Sequence, residues 1–300
     1  MADARYEVAV IGGGPAGLAA ALTLGRARRK TLLLDAGPRR NAAAQRMHGF
    51  LTRDGIAPSE FRRIAHAELT AYPSVERHEA AVQAVRGERG AFQLELATRS
   101  IQASRVLLCT GMIDEVPALP GLRELWGRSI FQCPYCHGWE VRGRRFGYWV
   151  TQTERLHFAL LLRAWTDDVV VFTDARVELP SALRESLLAR HIQIEERPLG
   201  GLMGRDGALT AVTLSDGDVV PCDVLFVHPP QRQVDAVRSM GLALTADGYV
   251  RVDDLYRQTS IVGVYAAGDL TTPAQSATLA AAAGSITAAM CNHDLMAEQT

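Results

Sequence analysis

Cys133 and Cys136 are separated by two residues in FQCPYCHGWE, with Pro134 and Tyr135 between them and His137 directly after. That spacing supports three chemistries. The pair can pass two electrons by opening and closing a disulfide, help to bind a metal, or staple a loop. A zinc site needs four ligands, usually from two such pairs, and the chain holds neither a second pair nor a histidine spacing to complete one. A structural staple is disfavoured in a reducing compartment. A histidine titrates near neutral pH, so His137 suits the handling of thiol protons. Its alternative reading is a side chain that caps or fills the loop. The other three cysteines, Cys109, Cys222 and Cys291, read as small buried hydrophobes.

A redox pair needs an electron carrier, and IGGGPAG supplies a place for one. Gly12, Gly14 and Gly17 have the G-x-G-x-x-G spacing, with Pro15 and Ala16 opening a helix behind them. The glycines permit a tight turn, close approach of backbone to a pyrophosphate, and close helix–strand packing. The helix N-terminus then faces the phosphates. The motif follows an apolar strand, Tyr6 to Ile11, and the next strand, Thr31 to Leu34, ends at Asp35, where an acid contacts a ribose in dinucleotide-binding folds.

Alternating segments lead to a strand ending at Thr110 and Gly111, and then VPALPG marks a crossover. A second strand–helix–strand pattern follows the cysteines. Phe146 to Val150 and Val169 to Thr173 read as strands, with an apolar helix at Leu156 to Trp165 between them. Short strands and an alanine-rich helix close the chain. The expectation is an α/β protein of two Rossmann-like doubly wound domains. Residues 1–116 and 246–300 form the nucleotide domain, and residues 117–245 carry the redox pair. Trp126, Trp139 and Trp149 read as core residues.

The chain has 300 residues and a formal net charge of −1, which gives no electrostatic case for nucleic acid or anionic membrane. It has no stretch fit to span a bilayer and enters its first strand within a few residues of Met1, so a cytoplasmic address is expected.

GVYAAGDLTTPAQSATLAAAAG, from Gly263 to Gly284, makes the resemblance specific. With GGGPAG at the start, it resembles the flavoprotein disulfide reductases. That resemblance implies FAD, with Asp269 on its ribityl and pyrophosphate groups and a helix N-terminus near Gln275 and Ser276 at the flavin ring. The CxxC in the second domain is similar to that of the low-molecular-weight thioredoxin reductases. By that likeness Cys136 is the flavin-side thiolate, Cys133 the sulfur that exchanges with substrate, and His137 the proton carrier. The likeness also implies a homodimer.

A thioredoxin reductase carries a second glycine turn and a basic cluster for NADPH. Here the matching segment is FGYWVTQTERLHFALLL, with Thr151, Gln152, Thr153 and Glu154 where the glycines would stand. Thr173 and Asp174 occupy the place of the basic cluster, and an aspartate repels a 2′-phosphate. The expectation is a degenerate second nucleotide site. CPYCHG then resembles the thioredoxin-reductase-like dithiol oxidases that close disulfides in gliotoxin, holomycin and romidepsin, closest to the branch that needs no nicotinamide. This implies a small-molecule dithiol substrate and dioxygen as acceptor. The segments DAGPRRN and HGFLTRDG are similar to that group's flavin-side loops. They would add Ala36, Gly37, Arg40, Asn41 and His48 to the flavin contacts, together with Ala81 and Val82.

Overall fold

The computed structural model describes residues 5–37 and 39–298, so Pro38 of the DAGPRRN segment lies outside it. The chain forms two compact units. The first holds residues 1–42, 59–113 and 231–300, and the second 43–58 and 114–230. This partition differs from the expected one in three places. Residues 43–58 and 114–116 belong with the second unit and residues 231–245 with the first.

In the first unit the elements are β1 (Arg5–Ile11), α1 (Pro15–Arg26), β2 (Thr31–Asp35), α2 (Pro58–Leu69), β3 (Val75–Glu79), β4 (Ala84–Arg86), β5 (Phe92–Glu95) and β6 (Ser100–Leu108). Strands β3, β2, β1 and β6 run parallel in that order. The inner strands β1 and β2 are buried on both faces, which is why they read as near-continuous apolar runs. β6 is shared. Its first half pairs antiparallel with β5, which pairs with β4, and its second half pairs parallel with the strand Val264–Ala266.

The long helix Ala277–Ala297 buries Ala280, Gly284, Thr287, Ala288, Cys291 and Leu295, the spacing of one helical face. It packs against α1 with almost no side chain between the two backbones. A β-carbon at Gly284 would stand 2.0 Å from the Ala16 carbonyl oxygen, and one at Gly268 would stand 2.9 Å from the Ala16 β-carbon. Ser276 caps this helix by accepting the Leu279 amide at 3.1 Å.

The second unit is a five-stranded parallel sheet. Its order is Gln193–Glu195, Val169–Phe172, Phe146–Trp149, Val224–Val227 and Ile130–Phe131. An antiparallel sheet of Leu199–Arg205, Ala208–Leu214 and Val219–Pro221 accompanies it. The helix expected over Leu156 to Trp165 is shorter. It consists of a 3-10 turn at Thr153–Arg155 and a helix at Phe158–Leu162. The Arg155 carbonyl, which a continuous helix would offer to residue 159, accepts the Tyr148 hydroxyl at 3.0 Å. Trp149 is core, as expected, but Trp139 is 65 % exposed and has the Arg142 guanidinium over its ring at 3.9 Å. No helix among the described residues is long and apolar enough to cross a membrane.

Gly284→Ala tests the helix contact. Alanine favours a helix by up to about 1 kcal/mol over glycine. Its β-carbon meets backbone, however, and backbone cannot rotate away as a side chain can. A net loss of about 1–3 kcal/mol in urea unfolding is expected. A gain would mean that the two helices separate freely.

Candidate functional site

In the first unit the glycine turn is built by close approach. Gly12 has φ of 109°, and a β-carbon there would stand 2.3 Å from the Cys109 carbonyl oxygen. One at Gly17 would stand 1.8 Å from the Gly12 carbonyl oxygen, so the first turn of α1 lies directly on the loop that precedes it. Gly14, the N-cap, has nothing within 4 Å of its β-carbon position. The first turn of α1 carries neither an acid nor a side-chain cap, so its amides are left for an anion.

Asp35 ends β2 and accepts the Gly13 amide at 3.3 Å. It also pairs with Arg62 from α2, which donates to the Gly13 carbonyl at 3.1 Å. Burial alone would raise the Asp35 carboxyl. The Arg62 guanidinium and the amides of Gly13 and Gly37 outweigh it and hold the acid below its ordinary value.

Arg40 bridges two other expected residues. It donates to Asp269 at 3.1 Å and to Gln275 at 2.5 Å. The Gln275 amide in turn donates to Gln231 at 2.9 Å, and Tyr249 donates to Gln231 at 3.2 Å. Thr110 and Gly111 follow β6, Ala36 and Gly37 follow β2, and Ala81 and Val82 follow β3. Val82 packs against the core of this unit, while Ala81 and Asn41 are exposed. The bare α1 terminus, the open space at Gly14 and the fixed acid at Asp35 fit a dinucleotide.

In the second unit Cys133 is the N-cap of the one-turn helix Pro134–His137, and Cys136 lies within it. The Cys136 amide donates to the Cys133 carbonyl at 3.2 Å, and both side chains are partly exposed. Gly138 closes the turn, its amide donating to Pro134 at 2.6 Å. A β-carbon at Gly138 would stand 2.5 Å from that carbonyl and 2.9 Å from the Trp165 ring. The three remaining cysteines are buried. Burial pushes Cys222 and Cys291 up to about 12 and Cys109 higher still, so thiolate chemistry falls to the pair.

His137 stacks flat on Phe131, with ring centroids 4.3 Å apart and 9° between planes. Burial lowers its basicity most, nearby His48 lowers it further, and Glu140 and the Arg46 backbone oppose them. His48, expected among the flavin contacts, belongs to the second unit and points its Nδ1 at Asp54 (3.4 Å) and Glu140 (3.5 Å). Arg62, Gln231, Asp54 and Glu140 were not singled out by sequence. Only Glu140, three residues beyond His137, left a local signal, because that spacing puts both on one side of a helical turn. Among the described residues no group of three or more His, Cys, Asp or Glu side chains is arranged to hold a metal ion.

The glycine cradle and the redox turn together define a dinucleotide-dependent oxidoreductase acting on sulfur. The chain matches the pyridine nucleotide-disulphide oxidoreductase family over residues 6–155 and 167–285, and belongs to it. It is 32 % identical to thioredoxin reductase sirT of Leptosphaeria maculans, covering 93 % of this chain and 91 % of that one. Among solved structures, HlmI is 37 % identical with a TM-score of 0.92, covering 98 % of this chain and 94 % of that one. An oxidoreductase from Agrobacterium tumefaciens is 35 % identical with a TM-score of 0.91, covering 98 % and 99 %.

The lowered His137 has a consequence for stability. An unfolded histidine takes up a proton near its ordinary value of about 6.5, while the folded one resists until lower pH. Its stabilising effect is therefore complete above that value and is lost as pH falls through the folded value. Urea midpoints measured from about pH 7.5 to about pH 5 should decline, and His137→Phe should flatten part of that decline. An unchanged slope would assign it to other groups, such as His66, which burial and the Arg77 charge also lower.

Proposed function

We propose that this protein is an FAD-dependent dithiol oxidase that closes a disulfide in a small-molecule dithiol without NADPH. The observation that carries the reading is the pairing of an intact redox turn with a second nucleotide position that offers no phosphate cradle. After the strand Phe146–Trp149 the chain has Thr151, Gln152 and Thr153 in place of glycines, and the following helix spans only Phe158–Leu162. The Thr151 hydroxyl is tied to the His228 carbonyl. Asp174 is 5 % exposed, accepts the Leu199 amide at 2.7 Å and pairs with Arg176 at 3.0 Å. A buried carboxylate held in this way opposes a 2′-phosphate.

The Gly12–Gly17 turn and the α1 amides would hold the diphosphate of FAD, Asp35 its adenosine ribose, and Asp269 with Arg40 the ribityl side. Held there, FAD would supply a two-electron acceptor for the sulfurs and a route from them to dioxygen, with hydrogen peroxide as the reduced product.

The sulfur steps belong to the chain's own residues. A substrate thiol loses its proton to His137, and the thiolate attacks Cys133 of the oxidised pair. The Cys133–Cys136 bond breaks, a substrate–Cys133 bond forms, and Cys136 leaves as thiolate. The second substrate thiolate displaces Cys133, so the product departs as a disulfide and the pair is left reduced. A cytoplasmic homodimer completes the reading.

The second reading, an NADPH-linked thioredoxin reductase, is favoured by the name that sirT carries. Anaerobic addition of NADPH, and separately of dithiothreitol, to the yellow protein separates the two. Bleaching by dithiothreitol alone is expected. Bleaching by NADPH would make the protein a reductase. Cys133→Ser should keep its flavin and lose dithiol turnover, and flavin loss in that variant would make the cysteine structural.

A further inference from the structure

The redox turn has a companion that its own sequence segment does not contain. Residues 43–58 form a stitched loop in the second unit. The Met47 amide donates to Ile56 at 2.9 Å, the Gly55 amide to Met47 at 3.0 Å, and the Gly49 amide to Asp54 at 2.9 Å. This loop presents two groups to His137. One is the backbone of Arg46, which favours a proton on the ring. The other is His48, whose ring stands edge-on to His137 at 6.4 Å between centroids.

The Nε2 atom of His137 is buried and has no hydrogen-bond partner. With Nε2 unpartnered, the neutral ring that carries its proton on Nδ1 offers the Nε2 lone pair as an acceptor. That is the tautomer of a base. A buried imidazole nitrogen without a partner costs stability in the resting protein, and a thiol proton is a partner that turnover would bring to it.

What decides whether the base stays neutral is the charge around it. In its unit the titratable groups that face His137 are His48 and Glu140, with Asp54 behind His48 and the two cysteines on its own turn. Phe131 contributes no charge to the stacked face. His48 lies between the carboxylates of Asp54 and Glu140, so the loop delivers an imidazole whose protonated form opposes a second positive charge on His137. Glu140 acts in both directions, favouring a proton on His137 and anchoring His48.

We propose that His48 and Glu140 are positioning residues that set the protonation of His137 from opposite sides, His48 favouring the neutral ring and Glu140 opposing it while anchoring His48, and so tune a base whose Nε2 has no partner of its own. The base role rests on the dithiol-oxidase reading, whereas the control of the ring does not.

Two measurements separate these. In the first, the His137 imidazole resonance of the isotope-labelled protein is titrated by NMR in the wild type, His48→Asn and Glu140→Gln. His48→Asn should move the His137 midpoint to higher pH and Glu140→Gln to lower pH. Opposite shifts are a signature that loosened packing does not produce. Midpoints that coincide in all three proteins, or shift in the same direction, would overturn the proposal. Glu140 is exposed, so its variant decides the matter even if His48→Asn fails to fold.

In the second, the rate of flavin bleaching by dithiothreitol is followed against pH. On the acid limb His48→Asn should be slower by about threefold, the factor one unit charge gives across 6.4 Å in a water-like dielectric, with the alkaline plateau preserved. NMR shifts without a change in the acid limb would leave the control of His137 standing and remove His137 as the base.

Discussion

Backbone meeting backbone at Ala16 is the constraint on which the first unit depends. The Ala16 carbonyl lies where a β-carbon on the long helix would be, and Gly17 lies on the Gly12 carbonyl, itself wedged against the end of β6. Two helices and two strands therefore converge within one turn of α1. The α1 terminus is left bare because its N-cap is Gly14, which has open space around it but no side chain to fill it. An anion site made of backbone amides cannot be tuned by substituting side chains, and it tolerates only the smallest residues around it. The alanine-rich composition of Ala277–Ala297 follows from the same geometry.

The second unit is organised around a different problem, the placement of a titratable ring in a mostly apolar setting. Phe131, at the end of an edge strand, supplies a flat surface for His137, and Gly138 lets the turn fold back without meeting Pro134. The loop 43–58 then supplies the polar partners that the turn lacks. A redox turn of four residues is too short to surround its own histidine, so its electrostatic environment comes from a distant part of the sequence.

Much of this was legible in the residues. Glycine spacing, strand ends and the cysteine pair are local signals, and they located the cradle, the redox turn and both parallel sheets. Other features depend on distances the sequence does not encode. Arg62 reaches Asp35 across the sheet edge, and Gln231 meets Gln275 only once the chain has returned to the first unit. His48 read as a flavin-side residue because its segment HGFLTRDG is similar to the dithiol oxidases' flavin-side loops, and the structure groups that segment with the second unit. Trp139 read as core because tryptophan usually is, but its face is covered by Arg142 and its edge meets solvent.

The distribution of sulfur has a last consequence. On the proposed dithiol-oxidase reading each turnover releases hydrogen peroxide beside the protein's own thiols, and thiolates are the form that oxidant attacks. Cys109, Cys222 and Cys291 are protonated and enclosed, so they present neither the reactive form nor an approach path. Cys133 and Cys136 are partly exposed, but the CxxC spacing gives each the other as a resolving partner, so a sulfenic acid on one would condense to the disulfide that the proposed cycle uses. On that reading, self-inflicted oxidation is returned to a working intermediate of the proposed cycle.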